Sequence, residues 1–220
     1  MARVSQPRRK EGREPRDTAG RGRRDRHQRT TAPVDQSTPR PAATGDICVL
    51  LAPSRPLSGS GAALIDRLQA AFGGERVEPI HVTVDRVPGD DAAALVRIVR
   101  ESLTRLRSAP VLVDRLFFLP SQSRGPEIVK LEVAPHVVLD EDVDVLLAAL
   151  RGSGLPSLYS SDRAKSTITA LQRVTRGPSV TTEMSEVPVE LFIADQVIVS
   201  RIVGLARYEV LDTASIPTSG

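Results

Sequence analysis

From Ile47 onward the chain runs through one pattern twice, and that repetition limits its folding more than any other feature. Ile47-Cys48-Val49-Leu50-Leu51-Ala52 is a continuous apolar run closed by Pro53, which predicts a buried strand. After the loop Ser58-Gly59-Ser60-Gly61, the residues Leu64, Ile65, Leu68, Ala71 and Phe72 recur at helical spacing, and Gly73-Gly74 stops the helix. Ile80-His81-Val82-Thr83-Val84 alternates as a strand, Leu95, Ile98, Val99, Leu103 and Leu106 draw one face of a helix, and Val111 to Leu119 forms another strand. The second half restarts with Ile128-Val129-Lys130-Leu131-Glu132-Val133, ending at Ala134-Pro135, followed by a helix carrying Val143, Leu146, Leu147 and Leu150. Phe192 to Val203 and Leu205 to Leu211 close the chain as strand-like runs.

Strand–helix–strand read twice predicts an α+β fold. Its lobes are related by a pseudo-two-fold axis, with mainly antiparallel sheets facing a central groove and helices outside. The loop between Leu119 and Ile128 is too short for the crossover that a single parallel sheet needs. The expected organisation is a domain over 46–212, with lobes at about 46–120 and 127–212 and a flexible C-terminus at 213–220. Aromatic residues make up 3% of the chain and Trp is absent, so aliphatic side chains must build the core. A single Cys excludes an internal disulfide and points to a reducing, cytoplasmic setting. Membrane insertion is not expected: the longest apolar run, Ile47–Ala52, falls far short of the ~20 residues that a spanning helix needs.

The net charge of +3 conceals two unlike segments. Residues 1–45 carry 12 Lys and Arg against five acids, a charge of +7, while the remainder carries −4. With several prolines and almost no large apolar side chain, residues 1–45 are expected to be disordered. Their arginines could hold a phosphate backbone without sequence preference, although no aromatic residue is interleaved to stack on bases.

His81 and Thr83 are two apart on a predicted strand and therefore share a face. An imidazole beside a hydroxyl places a proton-transfer group next to a hydrogen-bond donor for an anion. Strand, helix and then Pro79-Ile80-His81-Val82-Thr83-Val84, with a second such unit behind, resembles the two-histidine (2H) phosphoesterases, which include 2′-5′ RNA ligase-like proteins and cyclic phosphodiesterases. The resemblance covers about residues 46–212. It implies a bilobal fold with one His-x-Thr/Ser motif per lobe, facing each other across the groove. One imidazole would activate the attacking water or hydroxyl and the other would protonate the leaving oxygen, without a metal or cofactor.

Set against that pattern, Pro178-Ser179-Val180-Thr181 takes the place of the second motif, 98 residues after the first, and its histidine has become Ser179. The resemblance thus implies His81 as the acid/base and Thr83, Ser179 and Thr181 as phosphate-binding hydroxyls. The ligand would be an RNA end or a nucleotide with a 2′,3′-cyclic or 2′-5′ phosphodiester. General acid–base assistance is worth about 10²–10⁴-fold, so the loss of one imidazole also admits a phosphate-binding pseudoenzyme. Other candidates read as structural. His136 precedes a helix as a cap, Cys48 is a core thiol, Ser60 is a helix cap, and Asp140-Glu141-Asp142 complements a helix dipole. Tyr159, Arg163 and Lys165 precede the second motif and could reach a phosphate. One Cys and scattered histidines supply no zinc spacing.

Overall fold

The computed structural model describes residues 40–119, 127–159, 167–175 and 188–217. In chain order the elements are β1 (Ile47–Ala52), α1 (Gly59–Phe72), β2 (Glu75–Arg76), β3 (Val82–Val87), α2 (Ala92–Ser102), β4 (Ala109–Leu119), β5 (Glu127–Val133), α3 (Val137–Gly152), β6 (Thr167–Val174), β7 (Val189–Ala194), β8 (Gln196–Gly204) and β9 (Arg207–Ser215). They build two sheets, one ordered β3-β1-β8-β9 and the other β2-β6-β5-β4-β7, with every pairing antiparallel. The α+β, two-sheet architecture expected from the sequence is present. Among the described residues no helix is long and apolar enough to cross a membrane.

β1 is apolar at every position because both of its faces are covered. Ile47, Val49 and Leu51 join the main core with Val82, Val84, Leu95 and Val99. Cys48, Leu50 and Ala52 face the other way and form a smaller cluster with Ile198 and Ile202, against which Tyr208 packs. In the second sheet Val129, Leu131, Ile168 and Ala170 point into the main core, together with Leu64, Ile65 and Leu68 of α1. α1 lies so close to β7 that a Cβ on Gly61 would collide with the Leu191 carbonyl oxygen, and only glycine fits there.

Strand pairing corrects several expectations. The lobes are not the two halves of the chain: β4 lies in the sheet of β5 and β6, while β8 and β9 lie beside β1. Hydrophobic periodicity identifies strands but carries no information on which distant strand pairs with which. Order also extends past both expected domain ends. Arg40 forms an ion pair with Asp46 at 2.5 Å, Gln196 pairs with Ser215, and the Ile216 N–H donates to Asp195 O. The run from Phe192 to Val203 is two strands, broken at Asp195, whose carboxylate accepts hydrogen bonds from the Ser54 N–H and Oγ. The cap of α1 is Ser58, and Ser60 Oγ instead donates to Glu190 O at 2.8 Å.

The outer edge of β3 is closed by a buried ionic network. Arg86, 6% exposed, stands 3.3 Å from Asp46, donates to Leu158 O and lies 5.9 Å from the Tyr159 ring centre. The Leu158 N–H donates in turn to Arg86 O, so the segment after α3 covers an edge that would otherwise be open to another strand. Asp85 accepts from Ser157 Oγ at 2.6 Å, and burial nevertheless holds its carboxyl above the usual range.

Candidate functional site

His81 immediately precedes β3, where the chain passes from one sheet to the other. Glu75 and Arg76 pair with Gln172 and Leu171 of β6, and the Val77 N–H donates to Ala170 O. Four residues later the chain reaches His81, so its backbone lies within ~14 Å of that contact on β6. The strand bearing the histidine therefore starts beside β6.

The His81 side chain is 6% exposed and its Nδ1 lies 2.6 Å from Pro79 O. A carbonyl can only accept, so Nδ1 carries the proton and Nε2 keeps its lone pair. Burial pushes the imidazole down to about 4, partly offset by the Pro79 hydrogen bond, which leaves it neutral at physiological pH. The Tyr208 ring meets it edge-on, with centres 4.9 Å apart and planes at 83°. Tyr208 belongs to β9, three strands from β3, a span of ~14 Å in a flat sheet. The contact requires the sheet to curl until its concave face nearly closes over the histidine. Thr83 pairs with Leu50 and is half-buried on the histidine's face.

The two sheets repeat each other in register. β3 follows α1 and pairs with β1, and β6 follows α3 and pairs with β5. In the first pair Leu51 faces Val82, Leu50 faces Thr83, and a bulge then leaves Val84 unpaired before Val49 faces Asp85. In the second, Leu131 faces Ile168, Lys130 faces Thr169, and a bulge leaves Ala170 unpaired before Val129 faces Leu171. Matching bulges align Thr83 with Thr169, and His81 with Thr167, which faces Glu132. In the sequence this pair is marked only by its Thr-x-Thr spacing on an alternating strand.

Of the expected site residues, His81 and Thr83 share one face of the first sheet. Ser179 and Thr181 lie outside the described residues, as do Arg163 and Lys165. β6 ends at Val174, five residues before Ser179. On β5, Lys130 Nζ stands 3.5 Å from Thr167 Oγ1. A cavity of about 430 Å³ opens next to the crossing segment, lined by Ser54, Arg55, Arg76, Glu78, Pro79 and Ala170 among others.

His136, Cys48 and the acids of α3 take structural roles. His136 caps α3, with Nδ1 accepting from the Leu139 N–H. Cys48 is buried and its thiol is pushed up to about 12, chiefly by desolvation. Asp140 lies in the first turn of α3, while Asp142 accepts from the Arg107 N–H and Glu141 pairs with the Arg107 side chain. Among the described residues no three His, Cys, Asp or Glu side chains gather as a metal-ligand set.

No family model matches the chain, and no curated protein does. Solved structures do match. A structure described as a phosphoesterase superposes with a TM-score of 0.52 at 15% identity, over 79% of this chain and 99% of the other. The Thermus thermophilus protein TT0787 gives 0.53 at 12% identity, over 78% and 97%. E. coli LigT complexed with 3′-AMP gives 0.50 at 14% identity, over 79% and 99%. Identities this low speak for the fold alone. The chain has the two-sheet fold of these phosphoesterase and LigT structures, and the resemblance to 2H phosphoesterases read from its sequence is borne out as a shared fold.

Proposed function

We propose that this protein binds RNA ends or small nucleotides carrying a 2′,3′-cyclic or 2′-5′ phosphodiester and hydrolyses them with His81 as general base. The observation that carries the reading is the state of His81: neutral, with Nδ1–H committed to Pro79 O and Nε2 left as a lone-pair acceptor. In hydrolysis of a 2′,3′-cyclic end, Nε2 would take a proton from the attacking water. The new P–O bond forms as the P–O3′ bond breaks, leaving a 2′-phosphate, and O3′ takes its proton from solvent or from a donor in the second sheet. Thr83 would hold a non-bridging oxygen. For the opposite hydroxyls there are two assignments: Ser179 and Thr181 from the family pattern, or Thr167 and Thr169 from the register. Support for a nucleotide ligand comes from the shared fold and from LigT, which was crystallised with 3′-AMP. A reducing, cytoplasmic setting agrees with one buried, unpaired cysteine.

A second reading, binding without turnover, is favoured by two observations. Ser179 takes the place of the second histidine in the family pattern, as Thr167 does in the register alignment, and the Tyr208 ring packs edge-on against His81. The deciding experiment is hydrolysis of a short RNA ending in a 2′,3′-cyclic phosphate, with His81→Ala alongside. Turnover that disappears in the variant supports the enzyme. Binding of the same RNA with no turnover in either protein supports the binder, and turnover unaffected by His81→Ala removes the assignment.

A further inference from the structure

We infer that the Tyr208 hydroxyl donates a hydrogen bond to a phosphoester oxygen bound beside His81, which makes this tyrosine part of the ligand site; the inference rests on the nucleotide-binding reading above. Tyr208 lies near the start of β9, the edge strand of the first sheet, and pairs with Ile202 of β8. Ile202 belongs to the concave cluster of Cys48, Leu50, Ala52 and Ile198, and the Tyr208 ring packs on that floor. From there the ring meets His81, with centres 4.9 Å apart. Thr83 lies opposite Leu50 of the same floor. An imidazole, a threonine hydroxyl and a phenol thus stand around one apolar surface.

The state of the hydroxyl points to a ligand. A half-buried tyrosine ordinarily finds a hydrogen-bond partner for its oxygen, yet among the described residues the Tyr208 hydroxyl has none. The oxygen is not sealed off either, since it is absent from the fully buried unpaired atoms of the structure. Burial of the ring pushes the phenol above its ordinary ionisation range, so the proton stays on the oxygen and the group remains a donor. Nε2 of the neutral His81 presents a lone pair, which takes a proton but does not hold an anion. Donors must therefore reach the phosphate from other directions. Thr83 supplies one from the strand beside the histidine, and Tyr208 supplies a second from the opposite edge of the sheet. A phenol, with an ordinary pKa of about 10, is more acidic than an aliphatic alcohol and makes the stronger bond to an anionic oxygen. Over an apolar floor that bond meets little competition from water. The curl that carries β9 round to β3 is what brings this donor to the base.

The test is equilibrium binding of adenosine 3′-monophosphate to the full chain, by calorimetry at pH 8. Tyr208→Phe removes one oxygen and keeps the ring that packs on the floor and on His81. It should weaken binding by about tenfold or more, the scale of a hydrogen bond to a charged group. The His81 ring protons, followed by NMR in the same variant, should still titrate near 4, a readout that separates the hydroxyl from the packing of the ring. A His81 midpoint that moves with Tyr208→Phe assigns the loss to packing and overturns the inference. Adenosine without its phosphate serves as the second ligand: an equal loss of its affinity places the hydroxyl on the nucleoside and also overturns it. Unchanged affinity for the monophosphate in Tyr208→Phe, together with a loss in Thr83→Val, overturns the role of Tyr208 but leaves the groove reading standing. Wild-type protein that fails to bind, or binding indifferent to both substitutions, overturns the groove reading and the inference with it. Thermal unfolding of each variant separates loss of binding from loss of fold.

Discussion

Burial of His81 makes a quantitative prediction about acid stability. Its imidazole is depressed from 6.5 to about 4 in the folded chain, chiefly by desolvation. Between those values the unfolded chain binds the proton and the native chain does not. Stability from this group is therefore complete above pH ~6.5 and falls by about 1.4 kcal/mol per unit until the native imidazole protonates, a total of roughly 3 kcal/mol. Asp85 pulls the other way, because its raised carboxyl favours the native state at low pH and loses that contribution as pH rises through the folded value. A difference measurement removes that term. Urea unfolding of wild type and His81→Asn, whose amide can still donate to Pro79 O, should give free energies whose difference shifts against wild type by about 2 kcal/mol between pH 7 and pH 4.5. The His81 ring protons, followed by NMR, should titrate near 4, and Tyr208→Ala should move that midpoint toward 6.5 by uncovering the ring. A His81 midpoint above ~6, or a pH-independent difference between the two proteins, would refute both the burial argument and the neutral-base role built on it.

Three further outcomes follow from the packing. Asp46→Ala strands the buried Arg86 guanidinium and should cost about 3–5 kcal/mol in chemical unfolding, whereas replacing Arg86 and Asp46 together by apolar residues should recover part of the loss. Gly61→Ala forces α1 away from the Leu191 carbonyl and should cost about 1–3 kcal/mol by the same measurement, far more than an alanine on the exposed face of α1. Cys48, with its thiol pushed up to about 12, should resist a maleimide at pH ~7.5 in the native protein and react at once in denaturant.

Much of the architecture was legible because periodicity is local. The apolar run of β1, the helical spacing of Leu64, Ile65 and Leu68, and the alternation around His81 each lie within a few residues. Their burial follows directly. The partners of the strands were not legible. β2 is two exposed residues with no pattern, yet it ties the chain to β6 and delivers it to His81. The correspondence between the two sheets was not legible for a related reason: Thr167-Ile168-Thr169 is an unremarkable strand sequence, and only the bulge shared with β3 aligns it with Val82 and Thr83. Arg40 and Ile216 read as tail residues in the sequence because single ion pairs and single backbone hydrogen bonds have no periodic signature.

The pairing of β1 with β8 sets the order in which this protein can mature during synthesis. Ile47 faces Arg201, so the strand made first must wait for one of the last. At ~5–20 residues per second, the nascent chain spends on the order of ten seconds between release of β3 and release of β9. Throughout that interval β1 has β3 on one side and nothing on the other, and its Cys48–Leu50–Ala52 face lacks Ile198 and Ile202. An apolar strand with a free edge is the element most prone to pair with a neighbouring chain. His81 thus sits on the part of the protein most in need of protection at birth, and a chain released before β8 exposes that surface without ever completing the sheet that β3 joins.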